Sequence, residues 1–102
     1  MFGKYRCLGK QMIDPTQVRV VIRVPAAVDY YCENPGGTYN RGWLADNGGV
    51  PTVFVHADGS MTADQGNHRI AAAARCGRKI KAEVWTDREM TPQQAKHKRG
   101  WW

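Results

Sequence analysis

The chain has 102 residues, of which 42% are hydrophobic, and its 15 Lys and Arg outnumber its 9 Asp and Glu to give a net charge of +6. This length predicts one domain with a single small core, and the hydrophobic content excludes a wholly disordered chain. The charge favours an anionic partner such as nucleic acid, a nucleotide or an acidic protein, although an uneven surface charge without a ligand has the same composition.

The cysteines and the apolar runs bear on the cellular compartment. Cys7, Cys32 and Cys76 are widely spaced and form no C-x-x-C pair, so we expect neither a disulfide framework nor a zinc site. Cys76 falls in a helical pattern and is predicted to be a small buried hydrophobic residue. No run has the length of a signal peptide core or a membrane span. We therefore expect a cytoplasmic protein with no membrane partner.

The first predicted strand covers residues 18–24, in which apolar side chains recur at every second position. They are Val18, Val20, Ile22 and Val24, with Arg19 and Arg23 on the opposite face. Residues 26–33 then predict a helix, which the Asn34-Pro35-Gly36-Gly37 segment ends. Thr38 is predicted to cap a further short helix that contains Trp43 and Leu44 and stops at residues 47–49.

A second strand is predicted over residues 52–56, and Asp58-Gly59 predicts a hairpin that returns the chain through residues 60–63. Residues 67–76 predict an alanine-rich helix with Asn67 as its N-cap and Gly77 as its stop. A third strand follows at residues 80–85, and Thr91-Pro92 predicts the start of a last helix. Strands and helices interleave, so we expect an α+β fold: one domain over residues 1–102, with a small mixed sheet and flanking short helices.

The most informative segment is Gly66-Asn67-His68-Arg69, which runs directly into the alanine-rich helix. It presents backbone N–H groups, an imidazole and a guanidinium at a helix N-terminus, where an anion is favoured. The alternative is a capped helix start without a ligand. An arginine in a first turn opposes the helix dipole unless an anion is near, and this favours an anion site.

Residues 18–85 contain a series of segments whose order and spacing resemble those of a known protein family. They comprise the first strand with its Val24-Pro25 exit, residues 47–51, the strand at 53–55, Asp58-Gly59, the Gly66–Arg69 turn and residues 80–84. This arrangement resembles the ParB/sulfiredoxin-like superfamily, in the compact form common in bacteriophages and often labelled a ParB-like nuclease domain. In that family the turn and its helix bind the phosphates of a nucleoside triphosphate.

The resemblance implies a phosphate- or nucleotide-binding site, with CTP or ATP and Mg²⁺ as candidate ligands. Gly66 would allow close approach of the backbone, and the N–H groups of residues 67–69 would contact phosphate. His68 and Arg69 would add side-chain contacts, and Arg41 would reach the turn from the preceding helical segment.

The departures from the family pattern restrict the expected activity. Asn67 stands where sulfiredoxins carry their catalytic cysteine, and an amide is no nucleophile, so sulfinic acid reduction is excluded. It also stands where partitioning proteins carry a glutamate. Helix-turn-helix and dimerisation segments are not recognised in the chain, so a CTP-gated DNA clamp is not expected. No catalytic residue is assigned.

Metal-dependent chemistry has few candidate ligands. Asp58, Asp64 and Glu83 are the carboxylates near the predicted turn and strands, and nuclease chemistry usually needs several that converge on one or two ions. Asp58 is explained by its hairpin turn. His56, His68 and His97 are too far apart for a recognisable zinc motif, so no metal site is predicted.

The segment over residues 91–102 combines basic and aromatic side chains suited to phosphate contacts and base stacking. Its candidate nucleic-acid contacts are Lys96, Lys98, Arg99, Trp101 and Trp102. Alternatively, the two tryptophans pack on the core and the basic residues are solvated. A second basic set is well placed for the dipole at the end of the alanine-rich helix: Arg75, Arg78, Lys79 and Lys81.

Three hypotheses follow for function. The leading one is a small basic phage-type protein that binds DNA phosphates through the Gly66–Arg69 turn and the basic tail. The second is an enzyme, an NTP hydrolase or a nuclease, at the same turn. The third is a module that docks on a host protein through exposed tryptophans: Trp43, Trp85, Trp101 and Trp102.

Overall fold

The computed structural model of the protein describes residues 5–39 and 49–87. The helix predicted around Trp43 and Leu44, the candidate site residue Arg41, the helix predicted at Thr91-Pro92 and the basic tail lie outside these residues.

Strands and helices interleave along the described chain. The strands are β1 (Tyr5–Ile13), β2 (Val18–Arg19), β3 (Thr52–Val55), β4 (Met61–Gln65) and β5 (Ile80–Asp87), and the helices are α1 (Pro25–Glu33) and α2 (Asn67–Arg75). One short 3-10 turn, Pro15–Gln17, joins β1 to β2. The predicted α+β class with a mixed sheet is confirmed. Within the described residues, no helix has the length and apolar content to cross a membrane.

The five strands form one sheet in the order β1-β5-β3-β4-β2. β5 pairs antiparallel with β1 and parallel with β3, while β4 pairs antiparallel with β3 and parallel with β2. The predicted hairpin between β3 and β4 is confirmed. Its turn closes through Gly59 N–H to the His56 carbonyl at 2.8 Å, and the Asp58 carboxylate accepts the Ser60 N–H at 2.9 Å.

Two apolar clusters hold the sheet and the helices together. The larger one covers a sheet face and includes one side chain of α2, Ile70; its other buried members are Ile13, Val18, Val53, Val55, Met61, Ala82 and Val84. The smaller one lies between the helices and contains Ala27, Val28, Tyr31 and Ala72. Because α2 contributes to both clusters, it links α1 to the sheet.

The predicted strand at residues 18–24 is wrong beyond its second residue. Val18 and Arg19 pair with Met61 and Thr62 of β4, but the chain then leaves the sheet. Ile22, which the alternation put on the inward face, is 40% exposed, so the alternation did not correspond to a buried face. The cause is a set of hydrogen bonds from residues 21–24 to the start of α2, described below.

β1 was not predicted from the sequence, although it is the longest strand. It is an edge strand with a register shift between Cys7 and Gly9, and Gly9 has a φ of +86°. A bulge of this kind breaks the two-residue period by which a strand is recognised. Within the described residues, the sheet therefore includes a strand that precedes the first predicted one.

The expectation about the cysteines is also wrong. Cys32 in the last turn of α1 forms a disulfide with Cys76, which directly follows α2, and their Cα atoms are 6.0 Å apart. Cys76 is exposed rather than buried. The two residues are 44 positions apart, so their approach depends on how α1 packs on α2 and leaves no local signal in the sequence.

Glycines with positive φ flank α2 at both ends. The N-cap is Gly66, with a φ of +81°, and not Asn67 as predicted. Gly77, with a φ of +69°, ends the helix as predicted, and the Arg78 N–H donates to the Ala73 carbonyl at 2.9 Å. This is the Schellman pattern of a helix C-terminus.

These two glycines allow a matched test of why residue 66 is glycine. A Cβ on Gly66 would lie 2.6 Å from Cβ of the buried Pro51, whereas a Cβ on Gly77 meets no atom within 4 Å. Gly77→Ala should lower the free energy of unfolding by about 1–2 kcal/mol, the cost of a left-handed residue. Gly66→Ala should lower the free energy of unfolding by the same amount and by a further overpacking cost of about 1–3 kcal/mol. Urea denaturation of both variants measures the difference, and equal losses would contradict the packing role of Gly66.

Candidate functional site

The predicted site lies where β4 turns into α2. The Ile70 N–H donates to the Gly66 carbonyl at 3.0 Å, which is the first bond of the helix. The N–H groups of Asn67 and His68 precede this bond, so the helix itself offers them no acceptor. The first turn, which lies wholly within the described residues, contains no acidic residue. The backbone at this position therefore has the polarity that an anion requires.

The side chain of Asn67 is turned toward the protein's own backbone. Its Oδ1 accepts the N–H of Val21 at 2.9 Å. The amide therefore acts as a side-chain bridge from α2 to the segment that follows β2. For an anion, Asn67 offers its backbone N–H rather than its side chain.

His68 forms the second bridge to the same segment. Its Nε2 accepts two backbone N–H groups, from Arg23 at 3.2 Å and from Val24 at 3.1 Å. A ring nitrogen that accepts carries no proton, so the neutral ring has its proton on Nδ1. The side chain is 9% exposed. Its first role in this structure is to hold residues 23 and 24.

Burial also lowers the pKa of His68, because the imidazolium loses hydration. Protonation would in addition replace the Nε2 lone pair by a donor that faces two N–H groups. The neutral form is therefore the one compatible with the observed hydrogen bonds.

Arg69 is held beside the turn by two other parts of the chain. Its Nη1 donates to the Gly49 carbonyl at 2.8 Å, and its Cζ lies 5.3 Å from the centre of the Tyr31 ring. The segment before β3 and a side chain of α1 thus position one guanidinium next to the start of α2. A ring face attracts a cation, which partly offsets the unfavourable dipole at this position.

The two helices run side by side in the same sense. At their starts, Val24, the N-cap of α1, donates to His68 of α2, and at their ends Cys32 is bonded to Cys76. Both N-termini therefore lie at the same end of the pair. Neither first turn contains an acidic residue. This end of the pair therefore carries two positive dipole ends, and Arg69 lies in the first turn of α2.

Arg23 is an additional candidate that was not predicted from the sequence as a site residue. The sequence predicted Arg23 to lie on the outer face of a strand. In the structure, its backbone N–H donates to His68 and the residue is exposed. The contact joins residues 45 positions apart, and no local pattern reveals it. Arg41 and the five tail residues lie outside the described residues, so the structure does not place them against this site.

The carboxylates considered for metal binding have structural partners or lie apart. Asp58 accepts the N–H and the hydroxyl of Ser60, and these hydrogen bonds lower its pKa. Glu83 accepts the indole N–H of Trp85 at 2.9 Å, and Asp64 is exposed on β4. Among residues 5–39 and 49–87, no three His, Cys, Asp or Glu side chains are grouped as a metal site.

The basic residues near the end of α2 connect the two helices. Arg75 pairs with Asp29 of α1, and both side chains are at least half exposed, so the pair contributes little to stability. Arg78 donates to the carbonyls of Tyr31 and Cys32 at 3.1 and 3.2 Å. It thus caps the last turn of α1, whereas the sequence suggested a role at the end of α2.

Comparison of the chain with models of protein families, with curated proteins and with solved structures finds no match. The ParB/sulfiredoxin-like resemblance therefore stays a prediction from the motifs of the sequence.

The lowered pKa of His68 predicts a pH dependence of stability. With the folded pKa below the unfolded value of about 6.5, the unfolded state binds more protons in the window between the two values. Stability should be constant above about pH 7 and fall below about pH 6.5, by at most about 1.4 kcal/mol per pH unit.

Urea denaturation at pH 7.5 and pH 5.5 measures this effect. His68→Gln removes the titrating group and should remove most of the loss. His56→Gln is the matched control, because His56 bonds the Thr62 hydroxyl and receives no backbone N–H from the 21–24 segment. If His68→Gln loses as much stability between pH 7.5 and pH 5.5 as the parent protein does, His68 is not the group responsible for the loss.

Proposed function

We propose that the protein binds the phosphate backbone of DNA, with one phosphate seated at the paired N-termini of α1 and α2. The observation that carries this proposal is the pairing of two helix starts whose first turns contain no acidic residue, with Arg69 in the first turn of α2. The proposal extends the sequence hypothesis by adding α1 to the site.

Several contributions favour a phosphate at this position. Each helix N-terminus stabilises a nearby negative charge by about 0.3–1 kcal/mol at an exposed site, and a charge-assisted hydrogen bond from Arg69 adds about 1.5–3 kcal/mol. Arg69 is already oriented by the Gly49 carbonyl and the Tyr31 ring, so less side-chain entropy is lost on binding. The side chains of Asn67 and His68 fix the helix start and leave the contact to backbone groups.

The positive charge of the protein favours nucleic acid, which carries many phosphates, over a single free nucleotide. The net charge of +6 exceeds what one phosphate site requires. Arg19 and Arg23, both exposed, lie on the segment that leads into α1, and the tail carries further basic residues. Contacts of this kind go to the DNA backbone and carry little sequence information. We therefore expect low sequence specificity and a steep dependence on salt.

Arg69→Gln tests the site, and Lys79→Gln is the control that removes the same charge elsewhere. Arg69→Gln should weaken binding of a short duplex about 10-fold or more at low salt, and reduce the slope of log K against log salt by about one. Lys79→Gln removes the same charge from an exposed residue beyond the other end of α2 and should change affinity less than twofold. Fluorescence anisotropy from 50 to 300 mM salt measures both.

Two further results decide the interpretation. Thermal unfolding of each variant must match the parent protein, so that lost affinity is not lost folding. Equal effects of Arg69→Gln and Lys79→Gln would mean that the contact is diffuse and that the helix starts hold no phosphate. Affinity for duplex DNA that does not change with salt would refute backbone binding altogether.

The basic and aromatic residues of the tail are expected to contribute to DNA binding independently of the site at the helix starts. Replacing Lys96, Lys98 and Arg99 by Gln should lower the salt slope by up to about three, since each cation is expected to contact one phosphate. Replacing Trp101 and Trp102 by Ala should weaken binding of single-stranded DNA more than that of duplex, because only unpaired bases stack on aromatic rings. Equal losses on both forms of DNA would favour packing of these tryptophans on the protein.

A further inference from the structure

The disulfide between Cys32 and Cys76 lies at the surface and not in the core. Cys76 is exposed and Cys32 half-buried, and the bond joins the last turn of α1 to the residue that follows α2. Neither residue belongs to the two apolar clusters as a buried member. A thiol or a small disulfide in solution can therefore approach the bond from the side of Cys76.

The surroundings suit the reduced state as well as the disulfide. The Cys32 sulfur lies 3.6 Å from the carbonyl of Ala72, within reach of an S–H donor. That carbonyl already accepts the Cys76 N–H at 2.9 Å, so it is held in place by the end of α2. Reduction would thus leave the Cys32 thiol with a hydrogen-bond partner. Exposed disulfides are the more readily reduced ones, and they are often regulatory.

We propose that Cys32 and Cys76 form a reversible redox modification site that controls how firmly α1 is attached. The thiolate of Cys76 attacks oxidised glutathione, which forms a mixed disulfide and releases one glutathione. The Cys32 thiolate then displaces the second glutathione and closes the bond. The two protein thiols lose two electrons and two protons, and one oxidised glutathione becomes two reduced molecules.

The helix is a suitable target for such control because its described attachments go to α2 and not to the sheet core. α1 packs on α2 through the small cluster of Ala27, Val28 and Tyr31 against Ala72. Further links to α2 are the Val24 N–H bond to His68, the Tyr31 ring beside Arg69, the exposed Asp29–Arg75 pair and the two hydrogen bonds from Arg78. The sheet cluster includes Ile70 but no buried residue of α1. Reduction should therefore loosen α1 more than the sheet.

A consequence for binding rests on the proposed function. Tyr31 precedes Cys32 in the chain, and its ring lies beside Arg69. The start of α1 is also half of the proposed phosphate site. Loosening α1 should thus weaken DNA binding in the reduced protein.

Hydrogen exchange of the full-length protein in defined mixtures of reduced and oxidised glutathione tests the proposal. Mass spectrometry counts the thiols, and exchange rates compare residues 28–31 of α1 with residues 82–85 of β5. The disulfide should form under oxidised glutathione and open under excess reduced glutathione. On reduction, the ratio of the α1 rate to the β5 rate should rise at least 10-fold. This ratio cancels any change in global stability.

Variants make the outcomes distinct. Cys7→Ser removes the exposed cysteine on β1 and should leave the redox response intact, whereas the double variant Cys32→Ser/Cys76→Ser should behave as the reduced protein in every mixture. A disulfide that persists in excess reduced glutathione, or an exchange ratio that does not change, would overturn the proposal. A changed ratio with no DNA binding in either state would support the redox site and count against the DNA-binding proposal alone.

Discussion

The structure depends on two side chains at the start of α2 that accept backbone N–H groups from a distant segment. Asn67 holds Val21, and His68 holds both Arg23 and Val24. These bonds replace the sheet pairing that would otherwise satisfy the same N–H groups, so β2 ends after two residues. Because Val24 is the N-cap of α1, the His68 bond also fixes where the first helix begins.

The same constraint creates the candidate site. It places the N-terminus of α1 beside that of α2, and the pair then runs in one direction to the bond between Cys32 and Cys76. Around the start of α2, Pro51 packs against Gly66, and the neighbouring Gly49 carbonyl orients Arg69. The placement of the two helix N-termini at one end of the pair is thus a result of packing. The opposite end carries the Cys32–Cys76 disulfide, so contacts between residues far apart in sequence hold both ends of the helix pair.

The elements that the sequence predicted well are those with a local cause. The hairpin turn at Asp58-Gly59, the stop at Gly77 and the helix after Pro25 each follow from residues that act on their own neighbours. The two failures among the strands have different causes. The strand over residues 18–24 ended early because of partners 44–46 residues away, and β1 was missed because a bulge interrupts its period.

The sequence by itself determined the α+β class, most of the strands and both described helices, since periodicity, proline and glycine act over a few residues. It also identified the Gly66–Arg69 turn as the start of the alanine-rich helix. Only the tertiary structure decided what those side chains do: the Asn67 and His68 side chains bind the chain itself, Arg69 is held by a carbonyl and a ring, and Cys32 meets Cys76. The reason is physical. Each of these contacts joins residues at least 20 positions apart, and its formation depends on how the helices and the sheet pack together.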